Sequence, residues 1–147
     1  FHCSNLPKGR GSTPITWEIL SNKNFLTLTT FDANEDLDTG EIIHKNKIYL
    51  NGSELLNEIH EKVYKAILKS SIKVLKSYPN IKKYKQVGKP TYYNKRYKIN
   101  NKVKINSTIK DIFNLLRVAD NEKYPVHFNY KKQTYKLTID KMKNEKN

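Results

Sequence analysis

Two hydrophobic periods alternate along the first part of the chain. Phe25–Phe31 is β-branched or aromatic at five of its seven positions, with Leu26 and Leu28 between, which predicts a central strand. Residues 42–50 predict a second strand, or a strand pair, whose His-Lys-Asn-Lys middle is polar enough for a turn or an edge. Leu55, Ile59, Val63, Ile67, Val74, Leu75 and Tyr78 then recur at helical spacing, with Lys62, Lys65, Lys69, Lys73 and Lys76 on the opposite side. This predicts a long amphipathic helix opened by Asn51 or Ser53, stopped by Pro79 and carrying His60 on its surface. Upstream, Phe1 to Cys3 are strand-compatible and run into a loop containing Gly9, Arg10 and Gly11. Pro14–Leu20 follows as a short helix with Ser12 or Thr13 as its cap, and Trp17 on it fits a core position. Strands and helices in this alternation predict an α/β domain.

Beyond Pro79 the periodicity fades. Residues 80–106 mix Gly88, Pro90, four tyrosines and many lysines, and predict a strap with tyrosine rings packed down and lysines outward. Ser107 is expected to cap a helix over 108–119 with Ile109, Ile112, Phe113, Leu116 and Ala119 inward. Val126–Tyr130 and residues 134–139 read as a hairpin around Lys131, Lys132 and Gln133, and the polar tail from Asp140 is expected to fray. The organisation predicted is a domain over 1–79, a strap over 80–106 and a small helix-and-hairpin appendage over 107–147.

Charge sharpens this only a little. The chain carries 28 Lys+Arg against 14 Asp+Glu, a net +14, but Arg10, Arg96 and Arg117 are its only arginines. Scattered lysine is a weak signal for nucleic acid, where arginine's bidentate fork is favoured, and reads first as a solvated surface. It is equally compatible with an anionic small substrate. The single cysteine, Cys3, rules out an internal disulfide and a multi-cysteine zinc site, fits a reducing compartment such as the cytoplasm, and reads as a small buried thiol. No apolar run reaches the length of a membrane span.

Chemistry concentrates in two loops. His2 leaves a strand into a glycine-containing loop, the place where open α/β sheets put their ligands. Residues 32–41 hold the acidic cluster Asp32, Glu35, Asp36, Asp38 and Glu41, again after a strand and beside a glycine. A lone histidine is more often structural, and the acidic cluster alone reads as a solvated loop.

Together the two stretches resemble the folate-dependent formyltransferase family. That pattern is Asn-x-His-x-Ser running into Leu-Pro and a Gly/Arg loop, then Leu-Asp-x-Gly. His2, Ser4, Leu6, Pro7, Arg10, Gly11 and Pro14 match the first part and Leu37, Asp38, Thr39 and Gly40 the second. The 36 positions from His2 to Asp38 are what the family leads one to expect. Thr91 to Arg96 and Ile112 to Pro125 look like later family segments, so the likeness runs unevenly from Phe1 to about Tyr130. The departure is the asparagine two positions before the histidine, because this chain begins one position before it.

The resemblance implies the C-terminal part of a Rossmann-like formyltransferase domain, moving a formyl group from 10-formyltetrahydrofolate to a primary amine, with no metal. Such transfer passes through an oxyanion and requires a proton to leave the attacking amine. By resemblance, His2 carries the proton and faces the oxyanion, and Asp38 orients it. Ser4, Asn5, Leu6 and Pro7 hold the folate, and the 32–40 loop with Asn34, Glu35 and Asp36 surrounds the pterin. The short appendage favours an amino-sugar nucleotide as acceptor, with methionyl-tRNA as the alternative. The competing class is a basic nucleic-acid-binding module built on Tyr84, Tyr92 and Tyr97. A homodimer is compatible with either reading, and the piece alone is expected to be inactive, lacking half its sheet and the asparagine amide.

Overall fold

The computed structural model describes residues 1–142. The chain divides into two compact units, Phe1–Arg96 and Tyr97–Asn147, so residues 80–96 belong to the first and 97–106 to the second. Of the predicted tail, residues 143–147 lie outside the described part.

The first unit is organised on a central strand. Leu26 and Leu28 are fully buried in the strand Phe25–Phe31, and Thr27, Thr29 and Thr30 between and beside them are buried too. Both faces are therefore covered, as expected of a central strand, and each leucine contributes roughly 1.5–3 kcal/mol by leaving water. In chain order the elements are β1 (Arg10–Gly11), α1 (Pro14–Leu20), β2 (Phe25–Phe31), β3 (Ile42–Tyr49), α2 (Leu56–Ser77) and β4 (Tyr92–Tyr93). β2 pairs antiparallel with β3, from Phe25↔Tyr49 to Phe31↔Ile42. On its other edge both the N–H and the C=O of Thr29 bond to His2, which fixes the backbone of the histidine in the sheet. β1 and β4 pair in parallel through Arg10↔Tyr92 and Gly11↔Tyr93.

Residues 42–49 form one continuous strand rather than a pair. Asn51 and Ser53 do not open the following helix, which starts at Leu56 after Leu55 as cap. They sit instead in a turn closed by the buried Glu54 carboxylate, which accepts from the N–H of Asn51 (2.8 Å) and of Gly52 (3.0 Å) and from Lys62 Nζ (2.5 Å). α2 buries Ile59 and Val63, but Leu75 and Tyr78, predicted inward, are 73% and 75% exposed. Helical phase explains this: at about 100° per residue Leu75 lies roughly 160° around the helix from Ile59, away from the buried Ile59–Val63–Ser70 face. Tyr78 is the extended residue that ends the helix.

The strap also differs from expectation. Tyr84 and Tyr92 are exposed, and so is Tyr97 at the start of the second unit; among these tyrosines Tyr93 alone is packed down. Tyr93 and Trp17 stack with ring centroids 6.0 Å apart, Arg96 lies 5.0 Å over the Trp17 ring, and the Trp17 indole N–H donates to the Asn94 carbonyl. Trp17 is thus half-buried beneath the strap rather than in the core.

The second unit holds a short 3₁₀ turn (Lys98–Asn101), α3 (Ile109–Val118), β5 (Val126–Tyr130) and β6 (Gln133–Leu137). Thr108, not Ser107, caps α3: its hydroxyl accepts from the Asp111 N–H while the Asp111 carboxylate returns a bond to Thr108. Ile112, Leu116, Ala119 and Val126 make the core, with Leu137 and Ile139 against it, and Ile109 is exposed rather than inward. The hairpin turns through Lys131 and Lys132, both at positive φ, so Gln133 is already in β6.

Candidate active site

The residues leaving the edge of β2 build the site's floor. Ser4 is fully buried; its hydroxyl donates to the Lys8 carbonyl at 2.7 Å, and its own carbonyl accepts from the Thr29 hydroxyl at 2.6 Å. Leu6 is fully buried, and the Leu6–Pro7 peptide is cis. Lys45 on β3 reaches across to the Asn5 side-chain oxygen (2.7 Å) and the Leu6 carbonyl (2.5 Å), and partial burial lowers its pKa from the usual lysine range. Of the four first-loop residues expected to hold folate, Asn5 is therefore the exposed one. Burial pushes the thiol of Cys3 up to about 11, so it is an inert part of this floor.

The second loop leaves β2 at Asp32 and behaves differently. Asn34, Glu35 and Asp36 are exposed, as is Leu37, and the Thr39 hydroxyl ties the loop to itself through Asn34 Oδ1 and the Asp36 carbonyl. Gly40 is needed because a Cβ there would collide with the Asp32 carbonyl oxygen. Asp38 adopts φ 57°, a left-handed conformation that costs an L-residue roughly 1 kcal/mol.

That conformation brings the loops together. One oxygen of Asp38, Oδ2, accepts from the Gly11 N–H at 2.9 Å and stands 3.5 Å from His2 Nδ1. The other ring nitrogen of His2 lies 2.7 Å from the Gly9 carbonyl. A carbonyl only accepts, so Nε2 carries the proton there, and Nδ1 is left facing the carboxylate. Both side chains are about nine-tenths buried. The histidine and the carboxylate singled out in the sequence are spatial neighbours, while the exposed polar rim of residues 34–36 belongs to the same loop.

Three residues to which the sequence reading gave no site role complete the arrangement, all from the strap, two of them in the Thr91–Arg96 segment that looks like a later family segment. The Thr91 hydroxyl accepts from the Gly9 N–H at 2.9 Å, and the Tyr93 carbonyl accepts from the Ser12 N–H at 3.1 Å. The Tyr93 ring lies where a Cβ on Gly9 would fall, and its hydroxyl donates to the buried Glu18 at 2.7 Å. Burial, reinforced by that bond to Glu18, raises the Tyr93 pKa well above the ordinary phenol range. Gln86 joins Arg10 to the backbone of Asp38 and Gly40. No local signal marks it, since its partners lie 76, 48 and 46 positions away.

Among the described residues no group of three His, Cys, Asp or Glu is placed to hold a metal ion, and no helix is long and apolar enough to cross a membrane. A cavity of about 460 Å³ between β3 and α2, lined by Lys47, Lys62, Lys65, Lys69 and Lys73, contains none of the expected site residues.

No protein-family profile matches the chain. A methionyl-tRNA formyltransferase of Clostridioides difficile is 39% identical over 62 residues, which is 42% of this chain and 20% of that protein. The chain thus covers about a fifth of the length of this curated relative. Among solved structures, the methionyl-tRNA formyltransferase from Clostridium thermocellum superposes with a TM-score of 0.82 at 24% identity, over 99% of this chain and 63% of that one. The formyltransferase PseJ from Anoxybacillus kamchatkensis, in complex with UDP-4,6-dideoxy-4-formamido-L-AltNAc and tetrahydrofolate, has a TM-score of 0.55 at 24% identity over 63% of this chain and 49% of that one. The chain is thus similar in sequence over 62 residues to a methionyl-tRNA formyltransferase and shares its fold with solved formyltransferases, in line with the resemblance carried by the two loops.

Proposed function

We propose that the protein of which this chain carries the His2–Asp38 site transfers a formyl group from 10-formyltetrahydrofolate to a primary amine, most simply that of an amino-sugar nucleotide. The observation that carries the reading is the 3.5 Å approach of His2 Nδ1 to Asp38 Oδ2, made by residues 36 positions apart in two loops that match the family pattern. The folate supplies the activated formyl group. The amine forms the new C–N bond and sheds a proton, the folate C–N bond breaks and its nitrogen takes a proton, and the His2–Asp38 pair offers a place to hold that proton in between. Nε2–H is committed to the Gly9 carbonyl, so the mobile proton is the one shared along the Nδ1–Oδ2 edge. Asp38 orients the ring and balances its charge when it holds that proton. Exposed Asn5 on one loop and Asn34, Glu35 and Asp36 on the other provide polar groups suited to the amide-like edges of a pterin, while fully buried Leu6 contributes through its backbone and by shaping the floor.

The sugar acceptor rests on the fold shared with PseJ, whose complex contains a formamido sugar nucleotide and tetrahydrofolate. The methionyl-tRNA relative at 39% identity supports charged tRNA as the second reading. Purified complete protein offered radiolabelled formyl donor with either acceptor separates the two. Asp38→Ala is expected to leave folding and folate binding largely intact and to lower turnover by roughly 10²–10⁴-fold. Near-normal turnover in that variant would refute the assignment.

A further inference from the structure

We propose that Gln86 is a positioning residue that holds the Asp38 carboxylate against His2. The inference rests on the formyl-transfer reading for its consequence in turnover, but its geometric content is independent of the reaction. Gln86 comes from the strap, sits half-buried, and uses both N–H groups and the oxygen of its side-chain amide. Its Oε1 accepts from Arg10 Nη2 at 2.7 Å, and its Nε2 donates to the Asp38 carbonyl at 2.8 Å and to the Gly40 carbonyl at 2.9 Å. The chemistry of the partners fixes which end is which, because guanidinium only donates and carbonyls only accept.

The two donated bonds bracket Thr39 and pin the stretch in which Asp38 is held at φ 57°. That backbone conformation directs the side chain so that Oδ2 meets both the Gly11 N–H and His2 Nδ1. The accepted bond ties the same amide to Arg10, whose neighbour Gly11 supplies the N–H received by Asp38. Gln86 therefore sets the separation of the two loops from outside both of them. The position is specific for an amide. Glutamate would keep the bond to Arg10 but turn an oxygen towards two carbonyls, and methionine would keep the volume and lose all three bonds.

The test uses the complete protein with Gln86→Met, Gln86→Glu, Asp38→Ala and the Gln86→Met/Asp38→Ala double variant. Gln86→Met is expected to lower kcat by up to roughly 100-fold with the donor KM within about twofold, since misplacement of a reacting group by an ångström has that scale. Gln86→Glu should do no better. In the Asp38→Ala background Gln86→Met should cost nothing further, because the residue it positions is gone. Multiplicative losses in the double variant, or full kcat in either single Gln86 variant, would overturn the proposal. A second readout does not depend on turnover: at one fixed pH the NMR signals of the His2 ring should move in Gln86→Met in the direction they move in Asp38→Ala, because the carboxylate has left the ring in both. Unmoved His2 ring signals in Gln86→Met overturn the positioning role even if the protein transfers no formyl group. Absence of transfer by the unsubstituted protein, with the ring signals moved as expected, would reject the proposed reaction and keep Gln86 as the residue that sets the pair.

Discussion

The two loops that meet at His2 and Asp38 are built in opposite ways. The first is sunk into the sheet: Ser4 and Leu6 are fully buried, Gly9 is bonded to Thr91, and Lys45 braces it from β3. The second is exposed from Ala33 to Leu37 and bonded mainly to itself. A loop of the second kind cannot fix a carboxylate by its own packing. The position of Asp38 is set where the loop rejoins the rest of the unit, by Gly11, Gln86 and the close approach of Gly40 to the Asp32 carbonyl. One loop thus gives the candidate site a fixed floor, the other an accessible rim, and the His2–Asp38 pair lies at their junction.

The contrast can be broken at several points beyond the Asp38 and Gln86 variants. The largest stability effect should come from the floor: Leu6→Ala removes a fully buried side chain and should cost about 2–5 kcal/mol in equilibrium denaturation. A loss under about 1 kcal/mol would mean the floor collapses easily and is not the rigid partner.

Next comes a test of the scaffold that holds α2. Burial opposes ionisation of Glu54, but Lys62 and the N–H groups of Asn51 and Gly52 outweigh it and bring the carboxyl down to about 2 from 4.5. Because the folded value is depressed, the stabilisation is complete above pH 4.5 and is lost as pH falls from 4.5 towards 2. Its full size is at most about 3 kcal/mol, from 1.36 kcal/mol per pKa unit. Glu54→Gln should lower stability at neutral pH and flatten the stability curve through that window. A Glu54→Gln protein whose acid transition matches the parent's would show that the turn before α2 does not carry this term.

The smallest effect belongs to the rim. Replacing Glu35 by Gln together with Asp36 by Asn should change stability by less than about 0.5 kcal/mol, as surface substitutions do, while raising the donor KM. A stability loss as large as that of Leu6→Ala, measured by the same denaturation curves, would erase the distinction between the loops.

Much of the scaffold was legible in the chain because its causes are local. The run of β-branched and aromatic residues defines β2 to the residue, Pro14 sets the start of α1, and Pro79 comes just after the end of α2. Errors cluster where a neighbouring element decides the outcome. Leu75 turns away from the Ile59–Val63–Ser70 face that packs inward, and Tyr78 falls where the helix has already ended. Asn51 and Ser53 are good caps by type, yet Glu54 draws their turn away from the helix start. Trp17 and Tyr93 settle against each other, not into the core, because the strap passes over α1.

In the site, residue type and spacing pointed to His2 and Asp38, since imidazole and carboxylate chemistry is carried by the side chains themselves and the family pattern preserves their order. The sequence by itself determined which groups could react and the local segments that present them. Tertiary structure alone decided that they stand 3.5 Å apart, that Asp38 is held in a left-handed conformation, and that an amide 48 positions further along secures it. Hydrogen bonds between distant segments leave no period in the sequence, because each depends on where two separately folded stretches happen to meet.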